Sequence, residues 1–218
     1  GGWPHTVPAT QPYHPHITIA DDVTAGVLGT LRKVVSDTRR YSFVDAALRA
    51  RVQAAIDRGD ACLLRLQVRQ GDTLAGWAGQ YDAKTLLPAQ GRAFELPSIA
   101  GQETVGVVRY LMSIPDPSAT VVAAVDGSVA WLRRVEITGW RIETFDAPAA
   151  QFQYHRSTKD RRLVADPSAH GLWARFHDVK DNSVVLATRD GVRVARYEDI
   201  PRERRTGYQW YGSWPKRL

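Results

Sequence analysis

Residues 44–67 read VDAALRARVQAAIDRGDACLLRLQ, and Val44, Leu48, Val52, Ala55, Ile56, Leu63 and Leu64 recur through the run at helical spacing. A helix turns once in about 3.6 residues, so such spacing gathers these side chains on one face. The run therefore predicts a helix over 45–67, weakened at Gly59. Upstream, Val23, Val27, Leu28, Leu31, Val34 and Val35 repeat the period, with Asp21 or Asp22 positioned to cap its start. Downstream, Ser98 is positioned to cap a third helix reaching about Met112. Ser118 would cap a fourth, carrying Val121, Val122, Val125, Val129 and Leu132, with Pro115 and Pro117 separating the two.

The rest of the chain has a different grammar. Pro4, Pro8, Pro12 and Pro15 make the first 20 residues an extended loop, and 70–97 reads as a second loop. In the last third, Trp173–Val179 and Val184–Ala187 flank Lys180-Asp181-Asn182-Ser183 in the manner of a β-hairpin. Asp190-Gly191 signals another turn, leading to a short strand near Val192–Ala195 and one helical turn around 198–205. The predicted fold class is mainly α: an incomplete α/α toroid of antiparallel helical hairpins with a small β-hairpin-rich C-terminal part. One module covers 1–218, and the long connections carry its site.

Composition narrows the function classes. With 44% hydrophobic and 24% charged residues, the 218-residue chain has ordinary globular usage rather than that of a disordered segment. No apolar run approaches the roughly 20 residues of a membrane helix, so no membrane partner is expected. Cys62 stands alone, which rules out an internal disulfide and any cysteine-based metal cluster. Glycine-rich phosphate loops, dinucleotide fingerprints and nucleophile elbows are missing, which argues against phosphoryl transfer and serine hydrolysis. The formal net charge of +6 sits entirely in the tail, where residues 156–217 hold 14 Lys/Arg against 8 acids. Such a patch steers polyanions, whether nucleic acid, acidic lipid or acidic polysaccharide. No groove-entering motif accompanies it, so nucleic acid is not the expected partner.

Several residues admit two readings. His14, His16 and Asp21 lie close enough in sequence for zinc, yet no further ligand follows at a recognisable spacing. Asp21 and Asp22 either start a helix or lend an oxygen to Ca²⁺, which takes six to eight of them. Arg92 in Gly91-Arg92-Ala93-Phe94-Glu95 reads by default as a surface ion pair with Glu95. Arg175 and Arg189 read as edge charges, and Trp3, Tyr208, Trp210, Tyr211 and Trp214 as packing in preference to sugar platforms.

Taken in order, a set of segments resembles the family 10 polysaccharide lyases, the pectate lyases. They are Gly1-Gly2-Trp3-Pro4, His16-Ile17-Thr18-Ile19-Ala20-Asp21, Tyr41-Ser42-Phe43-Val44-Asp45, and Arg92-Ala93-Phe94-Glu95-Leu96-Pro97-Ser98. Gly106-Val107-Val108-Arg109-Tyr110-Leu111-Met112, Leu172-Trp173-Ala174-Arg175-Phe176, Arg189-Asp190-Gly191 and Glu203-Arg204-Arg205-Thr206-Gly207-Tyr208 follow. The resemblance implies Ca²⁺-dependent β-elimination of α-1,4-polygalacturonate to 4,5-unsaturated products, by a secreted or periplasmic monomer. It implies Asp21 as a calcium ligand, Arg92 as the catalytic base, and Arg175 and Arg189 as holders of substrate carboxylates. Two departures stand out: Ala20 where the family usually has Asn, and Trp77-Ala78-Gly79-Gln80-Tyr81-Asp82 where it usually reads Trp-Cys-Ala-Gln-His-Asp. Family modules extend further at the N-terminus, where another carboxylate ligand lies. The resemblance therefore implies a module lacking its N-terminal portion, with a non-catalytic pectin-binding remnant as the alternative.

Overall fold

A computed structural model describes residues 1–218, apart from the side chain of Arg217. Helices α1 (Val23–Ser36) and α2 (Ala46–Leu66) form where the apolar period places them. Asp45 caps α2 by accepting a hydrogen bond from the Leu48 amide at 2.7 Å, satisfying a donor the helix start leaves free. Gly59 does not weaken α2. A Cβ there would lie 2.4 Å from Leu28 Cδ2, so its bare backbone makes room for the Leu28 side chain of α1. Helix α4 (Ala119–Arg134) starts at Ser118, whose hydroxyl accepts from the Val121 amide at 3.3 Å. Helix α3 (Gly101–Met112) begins later than expected, and Ser98 donates to the Leu96 carbonyl instead. Ile99–Ala100 are diverted into a strand that pairs antiparallel with Phe176–His177.

The helices share one apolar core around Leu28, Leu63, Trp77, Val107 and Leu111, all fully buried. Trp77 donates from Nε1 to the Leu63 carbonyl at 2.8 Å, so the Trp77–Asp82 segment is a packing element of that core. A second core joins Phe94, Phe176, Leu186, Ile200 and Trp210. Among the described residues no helix is long and apolar enough to cross a membrane.

The expectation of a mainly α toroid is overturned. Helix accounts for 36% of the chain and strand for 22%. The strands form six separate antiparallel pairs among the described residues, several joining distant segments: Ile17–Thr18 with Gln80–Tyr81, and Trp173–Ala174 with Tyr211–Gly212. The turns at Lys180–Ser183 and Asp190-Gly191 form as expected, with Gly191 at φ +87° and Leu186–Ala187 pairing with Arg193–Val194. The tail's helical turn is helix α5 (Arg202–Gly207).

The largest β element is a hairpin of Trp140–Gln151 and Arg156–Ala165, where the sequence reading places no element. Its strands lack a clean apolar alternation because charges do part of the pairing. Glu143 faces Arg162 at 2.5 Å, and Asp146 faces Lys159 at 2.6 Å. Much of the tail's positive charge is spent on such staples, since Arg193, Arg196 and Arg205 face Asp178, Asp199 and Asp160.

The hairpin docks on α5 through Arg205 and Asp160, 2.7 Å apart. Burial raises the Asp160 pKa, but hydrogen bonds from Arg205 and the Arg161 amide outweigh it and hold the carboxyl below its ordinary value. A depressed folded pKa contributes stability above the unfolded value of about 3.9 and loses it as pH falls through the folded one. Asp160→Asn is therefore expected to lower Tm at neutral pH, with the gap to wild type closing below about pH 4. Thermal melts at stepped pH measure it, and a gap that stays constant down to pH 2 would contradict the assignment.

Candidate functional site

Arg92 sits in a turn closed by its own residues. The Gly91 amide donates to the Glu95 carbonyl at 3.0 Å and the Glu95 amide to the Arg92 carbonyl at 2.7 Å. Glu95 then folds back, accepting from the Arg92 amide (3.0 Å) and from its guanidinium (2.5 Å). The surface ion pair expected from the spacing is thus present, with the Arg92 side chain 48% exposed. It is also more than a surface pair, because Tyr208 donates to the same Glu95 oxygen at 2.7 Å.

Beneath this turn lies an aromatic floor. Phe94 and Tyr208 meet edge to face at 4.9 Å, with Trp210 against both. Tyr208 and Trp210 are buried, which makes them packing residues. Their ring faces carry negative quadrupole density, and arginines gather on them. Arg92 lies 5.1 Å from the Phe94 ring centre, Arg204 4.6 Å from the same ring, and Arg175 4.9 Å from that of Tyr208.

Arg189 reaches the site from the second turn. Gly191 presses its backbone on the Arg92 turn so closely that a Cβ would lie 2.6 Å from the Ala93 carbonyl oxygen. Its positive φ and missing side chain make that approach possible. Arg92 and Arg189 consequently line one groove, shared with Tyr13, His16 and Gln90. Glu203 holds the Arg189 fork, with Nε to Oε2 at 3.0 Å and a second, shorter bond to Oε1.

Arg175 lies differently. It is only 8% exposed, below the floor, and pairs with buried Glu103 at 2.5 Å. Among the described residues, its Nε and Glu103 Oε2 have no hydrogen-bond partner. Asp21 lies in a neighbouring depression with Asp22, Gln102 and Glu103. Both aspartates have positive φ, 54° and 56°, and expose their carboxylates without capping α1.

Charge sets the protonation of the cluster. Burial works to lower the Arg92 pKa, but the Glu95 hydrogen bond and charge outweigh it and push it up, with Tyr208 and Asp21 adding to the rise. Burial holds Arg204 below its usual value against the pull of Glu203, helped by like charges on Arg189 and Arg92. Burial also pushes the Glu103 carboxyl up, against the opposing charge of Arg175.

Among the described residues, three or more His, Cys, Asp or Glu side chains nowhere gather as a metal cage. His14 stacks on His5 with ring centres 4.8 Å apart, which leaves the zinc reading without a site. For Ca²⁺ the donor chemistry around Asp21 does fit, since all the candidate donors are oxygen and Gln102 Oε1 is buried without a partner. Arg175 already engages one Glu103 oxygen, so water and a ligand's own oxygens would share the six to eight places of the Ca²⁺ shell.

Sequence reasoning reached Arg92, Arg189, Arg175 and Asp21 but missed Glu103, Glu203 and Arg204. The Glu203-Arg204-Arg205 run belonged to a quoted motif, and only its charges hinted at a role.

Comparison with known proteins adds a relationship. The family model for pectic acid lyase matches residues 1–218. A search of curated proteins finds no match. Among solved structures, a family 10 polysaccharide lyase from Cellvibrio cellulosa superposes at a TM-score of 0.84 with 28% identity. A point variant of that lyase in complex with trigalacturonic acid matches equally well. Each match covers 99% of this chain but 64% of the relative, so the chain spans somewhat under two thirds of the solved lyases. With a family model satisfied along its whole length and a solved relative overlaying nearly all of it, the chain belongs to the pectic acid lyase family.

Proposed function

We propose that this chain carries the arginine-rich part of a site that cleaves α-1,4-polygalacturonate by β-elimination, outside the cell. The observation behind this reading is the shared groove of Arg92 and Arg189, with Asp21 within electrostatic reach of Arg92. A galacturonate's C5 proton is α to its carboxylate, so removing it builds enolate-like charge on that group. Cationic forks facing the carboxylate stabilise the charge as it develops. Arg189, with Nε and one terminal nitrogen held by Glu203, presents its other terminal nitrogen at the groove, and Arg175 adds a buried positive charge. Arg92, through a neutral guanidine nitrogen, takes the C5 proton; the C4–C5 double bond forms and the C4–oxygen bond breaks. The departing glycosidic oxygen then gains a proton from water, leaving a 4,5-unsaturated end. Ca²⁺ held at Asp21 would supply further positive charge to the substrate carboxylate and offset the smaller part of the negative charge that favours protonated Arg92, Glu95 being the larger.

A second reading rests on the Arg92–Glu95 pair. By favouring the charged guanidinium, it suits a protein that binds pectate without cleaving it. The two readings separate on one measurement. Full-length protein mixed with polygalacturonate is expected to generate ultraviolet absorbance of unsaturated ends, abolished by EGTA and restored by added Ca²⁺. Binding of pectate without that absorbance would establish the second reading.

A further inference from the structure

Arg189 has an unassigned neighbour. The tip of the long hairpin, closed by the Phe152 amide donating to the His155 carbonyl at 2.9 Å, carries Tyr154 over the Arg189 guanidinium at 4.6 Å from its ring centre. Tyr154 is 67% exposed, in contrast to the buried aromatics of the floor. A large exposed aromatic normally sits on a loop free to move, but this tip is fastened. His155 Nε2 bonds Thr206 Oγ1 at 2.9 Å, and Arg202 lies 5.8 Å over the Phe152 ring while donating to the Ser157 and Lys159 carbonyls. The hairpin therefore holds an open tyrosine ring beside an arginine already oriented by Glu203.

We propose that Tyr154 is a substrate-binding residue that pairs with Arg189 to form a subsite for an acidic pyranose, the unit of a uronic-acid chain. The pairing follows from the two chemistries of such a sugar. Its carboxylate needs a cationic N–H donor, and its axial C–H bonds form an apolar patch that packs on an aromatic face. Among the described residues, Arg189 Nη1 makes no hydrogen bond, since Glu203 takes Nε and the other terminal nitrogen. That leaves a donor for a carboxylate next to the ring. Tyr154 is well suited to the task because two side-chain torsions cost little entropy to fix, and the tip anchors have already restricted the backbone.

This inference rests on the proposed polygalacturonate activity, and the test keeps the two apart. Trigalacturonate is titrated calorimetrically into the full-length protein carrying Arg92→Ala, with and without Tyr154→Ala. Tyr154→Ala is expected to weaken binding about tenfold, equivalent to roughly 1.4 kcal/mol, while Tyr154→Phe stays within about twofold. In the catalytically intact background the same Tyr154→Ala change should raise KM on polygalacturonate with kcat unaltered. If Tyr154→Ala binds trigalacturonate as tightly as its parent, the subsite is overturned while the elimination reading stands. If neither form binds and the unmutated protein generates no unsaturated ends, both fall together.

Discussion

Arg92→Ala in the full-length protein is expected to lose about three orders of magnitude in the rate of unsaturated-end formation, the range for removing a general base. The fold should survive, because the Arg92 side chain is half exposed and Glu95 keeps its bond from Tyr208. A near-ultraviolet circular dichroism spectrum matching wild type would document that. Arg92→Lys should lose nearly as much, since a lysine places one compact ammonium where the guanidinium spans from Glu95 to the groove. The informative quantity is how the loss divides. A base leaves KM nearly unchanged and lowers kcat, whereas a carboxylate holder raises KM. A tenfold rise in KM with kcat intact would strip Arg92 of the base role and move it beside Arg189.

Glu103→Ala is expected to be strongly destabilising. Glu103 and Arg175 are buried together, with side chains 3% and 9% exposed, so the alanine leaves a guanidinium without its countercharge. Breaking a buried pair from one side costs about 3–5 kcal/mol, enough to lower Tm by about 10 °C in a chain of this size. Removing both charges is a different matter. Glu103→Leu with Arg175→Met deletes the desolvation penalty along with the attraction, and should recover most of the lost stability. If the pair also serves the site, through the charge of Arg175 or the oxygens of Glu103, the recovered double variant will be stable and nearly inactive. Denaturant melts and initial rates on the three proteins separate structural from substrate roles. A Glu103→Ala protein melting within 2 °C of wild type would show the pair to be dispensable.

The sequence disclosed what local rules control. Asp45 and Ser118 announce their helices because a cap lies within three residues of the amide it serves. Glu95 was visible beside Arg92 for the same reason. Partners that fold back from afar leave no local trace: Glu103 meets Arg175 across 72 positions, and Tyr208 meets Glu95 across 113. The long hairpin has no element in the sequence reading because Glu143 opposite Arg162 and Asp146 opposite Lys159 give its strands no apolar alternation to read. Ser98 misled for a related reason, since pairing of Ile99–Ala100 with Phe176–His177 overrode the local capping signal. Motif order named both Arg92 and Arg189, though their sharing of one groove goes with Gly191 meeting Ala93, which no spacing rule displays.

The strand pairing of Trp173–Ala174 with Tyr211–Gly212 has a consequence for the order of assembly. Helices α1 to α4 and their shared core are complete by Arg134, and during synthesis they can collapse while the tail is still emerging. The floor beneath Arg92 cannot. It needs Tyr208 and Trp210, and the strand that sets them in place closes at Gly212, six residues from the end of this chain. Tyr208 also meets Glu95 across 113 positions, and contacts of such separation bear a large loop-closure cost and form late. A chain deprived of Tyr208, Trp210 and the Tyr211–Gly212 strand would therefore keep a helical body and lose the scaffold on which its arginines converge.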